Sequence, residues 1–384
     1  MNKPNITAPL LIVAQFLCTS VWFASNTVID QIQSEYHLPD NSLTYLTMAI
    51  QFGFILGTFL YAIFGISDRF SPSIVFFLSA IGAAICNMVI VAPIMSMPFA
   101  SVILYRACTG VFLAGIYPVG LKIAADHFGD KLYSALGWIV GALVLGTAFP
   151  FLLGATMRDL HWHWVMYGTT MACVAGGIIV LFFVPDGPFR QVGQKFQARA
   201  IPMIFKEDDF KRSAFGYFGH MWELYTFWTL VPILVAKEPS SSPNLLTFSI
   251  IGIGAVGCVL SGYLASTWTV KRTAIFFLAS SLICSLAYAI AVFIGITSLI
   301  LPILFLWGFT VIPDSPMFST LVARHAPSTY KGTALTLING IGFMITILSI
   351  KLITWLMGHY ESAHVVLLLA LGPVIGLVIN RSKS

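Results

Sequence analysis

Of 384 residues, 58% are hydrophobic and only 9% charged, against roughly 25% charged in an average soluble domain, and the mean hydropathy is +0.89. Twenty Lys and Arg with fifteen Asp and Glu cannot cover a water-exposed surface of this size, so soluble architectures are excluded and the chain belongs in a bilayer. The net charge of +5 is scattered through short connections rather than gathered into a stripe, which argues against a nucleic-acid partner.

Apolar runs of the roughly 17–25 residues that cross a ~30 Å hydrocarbon core fall near 6–29, 44–66, 73–93, 99–123, 133–155 and 164–184, and again near 213–236, 246–267, 274–294, 298–322, 333–357 and 364–380. The first run is too long for a signal peptide and lacks a small-residue exit, so it counts as a span. Twelve transmembrane helices are predicted, an all-α membrane protein. Residues 1–184 form one six-helix bundle and 213–384 a second; 185–212 is a polar, basic linker interrupted by Pro185, Pro188 and Pro202. Sixteen of the twenty Lys and Arg fall on the linker's side and only Arg158 and Lys237 opposite, while Arg106 and Lys351 lie within spans. That bias predicts a cytoplasmic linker and cytoplasmic termini. All six cysteines sit inside apolar runs without C-x-x-C spacing, which speaks against a disulfide framework or a cysteine metal site.

The halves repeat at an offset of 198 residues. Gly110, Pro118, Ala125 and His127 at the end of span four return as Gly308, Pro316, Ala323 and His325 at the end of span ten. Between spans two and three, Gly65-Ile-Ser-Asp68-Arg69 is similar to a G-x-x-x-D-R loop motif with its glycine one position late. Gly262-Tyr-Leu-Ala-Ser266 before Lys271-Arg272 is similar to a second copy, and Arg106-x-x-x-Gly110 to a buried R-x-x-x-G motif. With twelve spans in two related halves, these motifs resemble the major facilitator superfamily over essentially the whole chain.

The resemblance implies two pseudo-symmetric bundles that rock about a central site by alternating access. Trp22-Phe-Ala-Ser-Asn26, Gly219-His-Met-Trp-Glu-Leu-Tyr225 and Asp314-Ser-Pro-Met-Phe318 are similar to a bacterial subgroup without an assigned solute. This places the chain in the inner membrane. Gly141-x-x-x-x-Gly146-x-x-x-Pro150 departs from the G-x-x-x-G-P pattern of proton-driven drug exporters, which weighs against efflux of amphipathic compounds, the competing transport reading.

An ionisable group in hydrocarbon costs roughly 2.5 kcal/mol or more, so each needs a partner, a watery cavity or a role. In span seven, Gly216, His220, Glu223 and Phe227 share one helical face, with Glu223 near mid-membrane. Burial there disfavours a carboxylate's charged form, which makes Glu223 with His220 the first proton-coupling candidate and a structural pair the plainer alternative. Asp314, flanked by Pro313 and Pro316 on a face with Trp307, Thr310 and Phe318, is the second; it serves equally as the cap of a broken helix. Arg106 in span four can grip a carboxylate bidentately, or pair with Glu223. Lys351 in span eleven is placed to snorkel.

Span one carries a polar stripe, Gln15, Thr19, Trp22 and Asn26, at one helical face. With Gln51, Tyr117, Trp222, Tyr225, Trp228 and Trp307 it would line an aromatic site with a few hydrogen-bonding groups. Asp68 and Arg69 are candidate gating residues that lock inner helix ends together. The glycines Gly252, Gly254, Gly257 and Gly262 of span eight read as a close packing surface.

No H-E-x-x-H, phosphate loop or G-x-S-x-G elbow is present, so enzyme chemistry and direct drive by ATP are not expected, nor is a cofactor or resident metal. The reading from sequence is a secondary active transporter, monomeric and coupled to protons. Its cargo is a small organic solute, with an anion or zwitterion favoured by Arg106. Outside transport, the alternatives are a polytopic membrane enzyme using His220 and Glu223 as acid and base, and a solute receptor.

Overall fold

The computed structural model describes residues 6–91, 98–128, 132–157, 160–190, 196–238, 240, 242–360 and 362–381. Five basic residues that entered the orientation count, Lys3, Lys131, Arg158, Lys195 and Lys383, lie outside them. All regular structure among the described residues is helical. In hydrocarbon a helix satisfies its own backbone hydrogen bonds, so a chain this apolar has few other choices.

Nine helices among the described residues are long and apolar enough to cross a membrane, from Ser42–Phe64 to Lys331–Met357. The other three predicted spans are present in different form. Span seven is the 28-residue helix Asp208–Val235, which begins five residues before the apolar run because Asp208 and Asp209 favour a helix N-terminus. Span twelve is built from Ser362–Val366, a 3-10 turn and Leu371–Asn380. Span one is broken: Thr7–Thr19 ends, Ser20 to Phe23 are non-helical, and Ala24–Thr27 resumes. The predicted continuous stripe Gln15, Thr19, Trp22, Asn26 is therefore interrupted in its middle.

The chain divides into two compact units, Met1–Gly193 and Gln194–Ser384, each with six spans. In the first, span two packs on four, three on six, and one on five and six; in the second, span seven packs on ten, eleven and twelve. The 198-residue repeat reappears in three dimensions. Span four is split into Phe99–Leu113 and Tyr117–Phe128, and span ten into Ile300–Thr310 and Asp314–His325. Pro118 and Pro316 stand in the first turn of the second segment in both cases. Proline has no N–H and its ring collides with the carbonyl four residues back, so both helices break just ahead of it.

Gly110 and Gly308 are a second shared feature. A Cβ on Gly110 would overlap the Ile50 carbonyl of span two, and one on Gly308 the Ile250 carbonyl of span eight. In each unit these two spans touch backbone to backbone, which only glycine permits. Gly110→Leu forces them apart and is expected to cost about 3 kcal/mol, the upper range for overpacking. A fall in the melting temperature of the detergent-solubilised protein checks this. Gly257 backs in the same way onto Phe309 and Pro313 of span ten, the packing role anticipated for the span-eight glycines.

Candidate functional site

The predicted faces of spans seven and ten meet rung by rung. Gly216 leaves room for the Phe318 ring, since a side chain there would collide with it. One turn on, His220 Nδ1 lies 2.8 Å from Asp314 Oδ1, with both side chains almost fully buried. Next, Trp307 Nε1 donates to Glu223 Oε1 at 2.7 Å. Finally, Phe227 stacks on the Trp307 ring at 4.4 Å and 29°.

The break of span ten falls between Trp307 and Asp314 and starts the second segment at Asp314, which places that carboxyl opposite His220. Glu223 and His220, expected to act on one another, each have a different partner. Helical periodicity put them on one face, but three residues along an axis separates them by one rung of the facing helix.

Glu223 is satisfied on both oxygens, because Ser281 Oγ of span nine donates to Oε2 at 2.8 Å. Both donors are neutral, and among the described residues Glu223 makes no ion pair. Its charge is hydrogen-bonded but met by no cation among the described residues. His220 keeps Nε2 buried without a hydrogen-bond partner. Beside it, the Tyr217 ring lies 6.0 Å from the imidazole and its hydroxyl donates to Asn339 Oδ1 at 2.9 Å. Ser281 and Tyr217 were not singled out in the sequence. A serine or tyrosine in an apolar run carries no sign of which carboxylate or ring it will meet.

The aromatic candidates divide. Tyr225 packs against Trp228 and Phe343, and Trp228 is fully buried. Trp222 turns to span twelve, where its Nε1 donates to the Leu368 carbonyl at 2.9 Å. Its polar edge is thus used in packing within the unit. Lys351 is exposed on span eleven, in keeping with a snorkelling side chain.

In the first unit Arg106 is fully buried and makes no ion pair among the described residues. Its Nη1 donates to the Val21 carbonyl at 3.1 Å and its Nη2 to the Trp22 carbonyl. Those carbonyls lie in the break of span one, where the helix no longer supplies N–H donors to them. The guanidinium thus replaces the missing backbone bonds, and the carboxylate partner anticipated for it is replaced by peptide oxygens. Its Nε is buried without a partner.

In the same unit, Trp22 packs on Phe54 with ring centroids 5.1 Å apart, and Asn26 Nδ2 donates to Thr47 Oγ1 at 2.8 Å. The side-chain amides of Gln15 and Gln51 are buried with neither end hydrogen-bonded to protein. Buried amides in that state want water or a ligand. Thr19 is used up locally, donating to the Gln15 carbonyl. Tyr117 opens the second segment of span four.

Asp68 pairs with Lys122 of span four at 2.7 Å, both about one-fifth exposed. Arg69 is exposed and forms no ion pair among the described residues, so of the two candidate gating residues only Asp68 ties helix ends together, through Lys122. Arg69 points off the helix end while Lys122 reaches up from the neighbouring span. Close by, Arg190 binds Asp186 and donates to the Phe70 carbonyl at 2.9 Å, and Ser71 donates to Asp186 at 2.7 Å.

The profile of the Major Facilitator Superfamily matches residues 11–350. The chain belongs to the major facilitator superfamily. This is a family of transporters, not enzymes, and the chain is a multi-pass secondary transporter that acts on small molecules. Among solved structures it is similar to the proton:xylose symporter XylE bound to 6-bromo-6-deoxy-D-glucose, with a TM-score of 0.75, 12% identity and coverage of 97% of this chain and 94% of that one. It is also similar to the human organic anion transporter MFSD10 (TETRAN), with a TM-score of 0.71, 13% identity and coverage of 99% and 100%. At these identities the likeness carries the superfamily fold and no substrate. No curated protein matches the sequence.

Proposed function

We propose that this superfamily member couples proton movement to the passage of a small organic anion or zwitterion, by alternating access, in a bacterial inner membrane with both termini cytoplasmic. The observation that carries the reading is Glu223: a carboxylate buried at mid-span, held by Trp307 and Ser281, with no cation bonded to it. A group of this kind changes charge by binding a proton and must rearrange its donors when it does. The His220–Asp314 pair one rung away is a second buried site for the same proton.

Cargo preference follows from Arg106. It is a permanent cation with no bonded carboxylate among the described residues, in the same unit as Trp22, Asn26, Gln51 and Tyr117, and the unpartnered amide of Gln51 is a ready hydrogen-bonding group for a polar solute. The 16-to-2 bias of Lys and Arg gives the orientation.

The test is reconstitution into liposomes loaded with a pH-sensitive dye. Carboxylates, amino acids, sugars, nucleosides and amines are added in turn. A carboxylate or zwitterion is expected to change internal pH. Solute entry with no pH change overturns proton coupling, and pH changes confined to sugars or amines overturn the cargo class.

A further inference from the structure

A second cluster of chemistry-bearing side chains lies in the first unit, at the opposite end from the Asp68–Lys122 pair. His161-Trp162-His163 opens span six, and Glu35 lies near the end of the short helix Ile29–Tyr36 that follows span one. Trp162 turns inward and is only 5% exposed, packed in a buried cluster with Ile32, Val165 and Met166. The two flanking imidazoles are thereby left together at the surface, stacked at 4.2 Å between centroids and 18° between planes.

Both rings face Glu35. His161 Nε2 lies 3.7 Å from Glu35 Oε2 and His163 Nε2 4.0 Å from Oε1. One ligand atom from each of the three residues lies within 4.8 Å of the others. Ligand atoms about a tetrahedral zinc, each roughly 2.0–2.2 Å from the ion, stand about 3.3 Å apart. Rotamer-scale adjustment therefore closes this cluster onto an ion.

The support behind the ligands is of the kind metal sites need. Trp162 Nε1 donates to Glu35 Oε2 at 2.6 Å, fixing the carboxylate's orientation, with Oε2 on the His161 side and Oε1 on the His163 side. The neighbouring Tyr36 is pinned by its hydroxyl to the Ile90 carbonyl at 2.8 Å, with its ring edge-on to Trp162. The three side chains are 40%, 56% and 26% exposed for Glu35, His161 and His163, so an ion can reach them from water. Two imidazole nitrogens and one carboxylate oxygen suit zinc and its borderline neighbours copper and nickel. Calcium and magnesium favour all-oxygen sites.

We propose that Glu35, His161 and His163 form a binding site for a zinc-class divalent metal, which staples the helix after span one to the start of span six. The pattern is unrelated to the cysteines, and it joins residues 126 positions apart, so sequence spacing does not reveal it.

The experiment is zinc titration calorimetry on the full-length, tag-free protein stripped by chelator in detergent, with melting curves alongside. The wild type is expected to bind one zinc per chain and melt higher with zinc than without. H161A/H163A should bind at least about tenfold more weakly and show no zinc-dependent shift, and E35Q should weaken binding by about tenfold. The ligands are partly exposed, so the variants should melt like the wild type without zinc, which separates lost binding from lost folding. H359A/H364A, which removes two other surface histidines, should bind as the wild type does. Absence of saturable binding, unchanged affinity in H161A/H163A, or loss of it in H359A/H364A overturns the proposal. Displacement of zinc by millimolar calcium or magnesium overturns the metal class.

Discussion

Glu223→Gln should reduce solute-driven proton movement to the level of empty liposomes while leaving the fold intact. The substitution is isosteric. Trp307 Nε1 can still donate to the amide oxygen, and the Ser281 hydroxyl can turn to accept from the amide nitrogen, so neither partner is orphaned. What is lost is only the ability to bind and release a proton. Solute exchange down its own gradient, measured as counterflow of labelled solute, should persist in the variant, because that exchange needs no net proton transfer. A variant that still couples would move the proton site to the His220–Asp314 pair, a second buried acid one rung away.

Arg106→Met should be the most damaging change in the first unit. Methionine fills much of the volume but supplies no donors, so the Val21 and Trp22 carbonyls are left buried and unbonded in the break of span one. Each bond from a charged donor contributes about 1.5–3 kcal/mol, and the unsatisfied acceptors add their own cost, for a total of about 3–5 kcal/mol. A fall of roughly 10 °C in the detergent melting temperature is expected. Arg106→Lys keeps the charge but reaches one carbonyl at best, and should fall between the two. If Arg106→Met melts like the wild type and only loses affinity for an anionic solute, the guanidinium serves the cargo alone and its bonds to span one contribute little.

These two residues also separate what a sequence can reveal from what it cannot. The presence of Glu223 and Arg106 in apolar runs was legible, because a charge in hydrocarbon is rare enough to be conspicuous. Their partners were not. Arg106 binds peptide carbonyls made available by a break at Ser20–Phe23 that contains neither proline nor glycine, so nothing in the local sequence announces it. Glu223 binds a serine and an indole from two other spans, both common residue types in such helices.

The sequence by itself determined the all-helical membrane class, the repeat at 198 residues with its paired prolines and glycines, and the two faces of spans seven and ten. It does so because hydropathy and helical periodicity act along the chain, and because the paired Pro118 and Pro316 fall at the same break in both halves, whereas Pro150 and Pro232 are carried inside continuous helices. Only the tertiary structure decided that these faces meet with His220 on Asp314 and Glu223 on Trp307, that Asp68 takes Lys122, that Trp222 turns to span twelve, and that Glu35 faces His161 and His163. Those pairings depend on the rotation and register of one helix against another. Many weak packing contacts set them together, and no single residue encodes them.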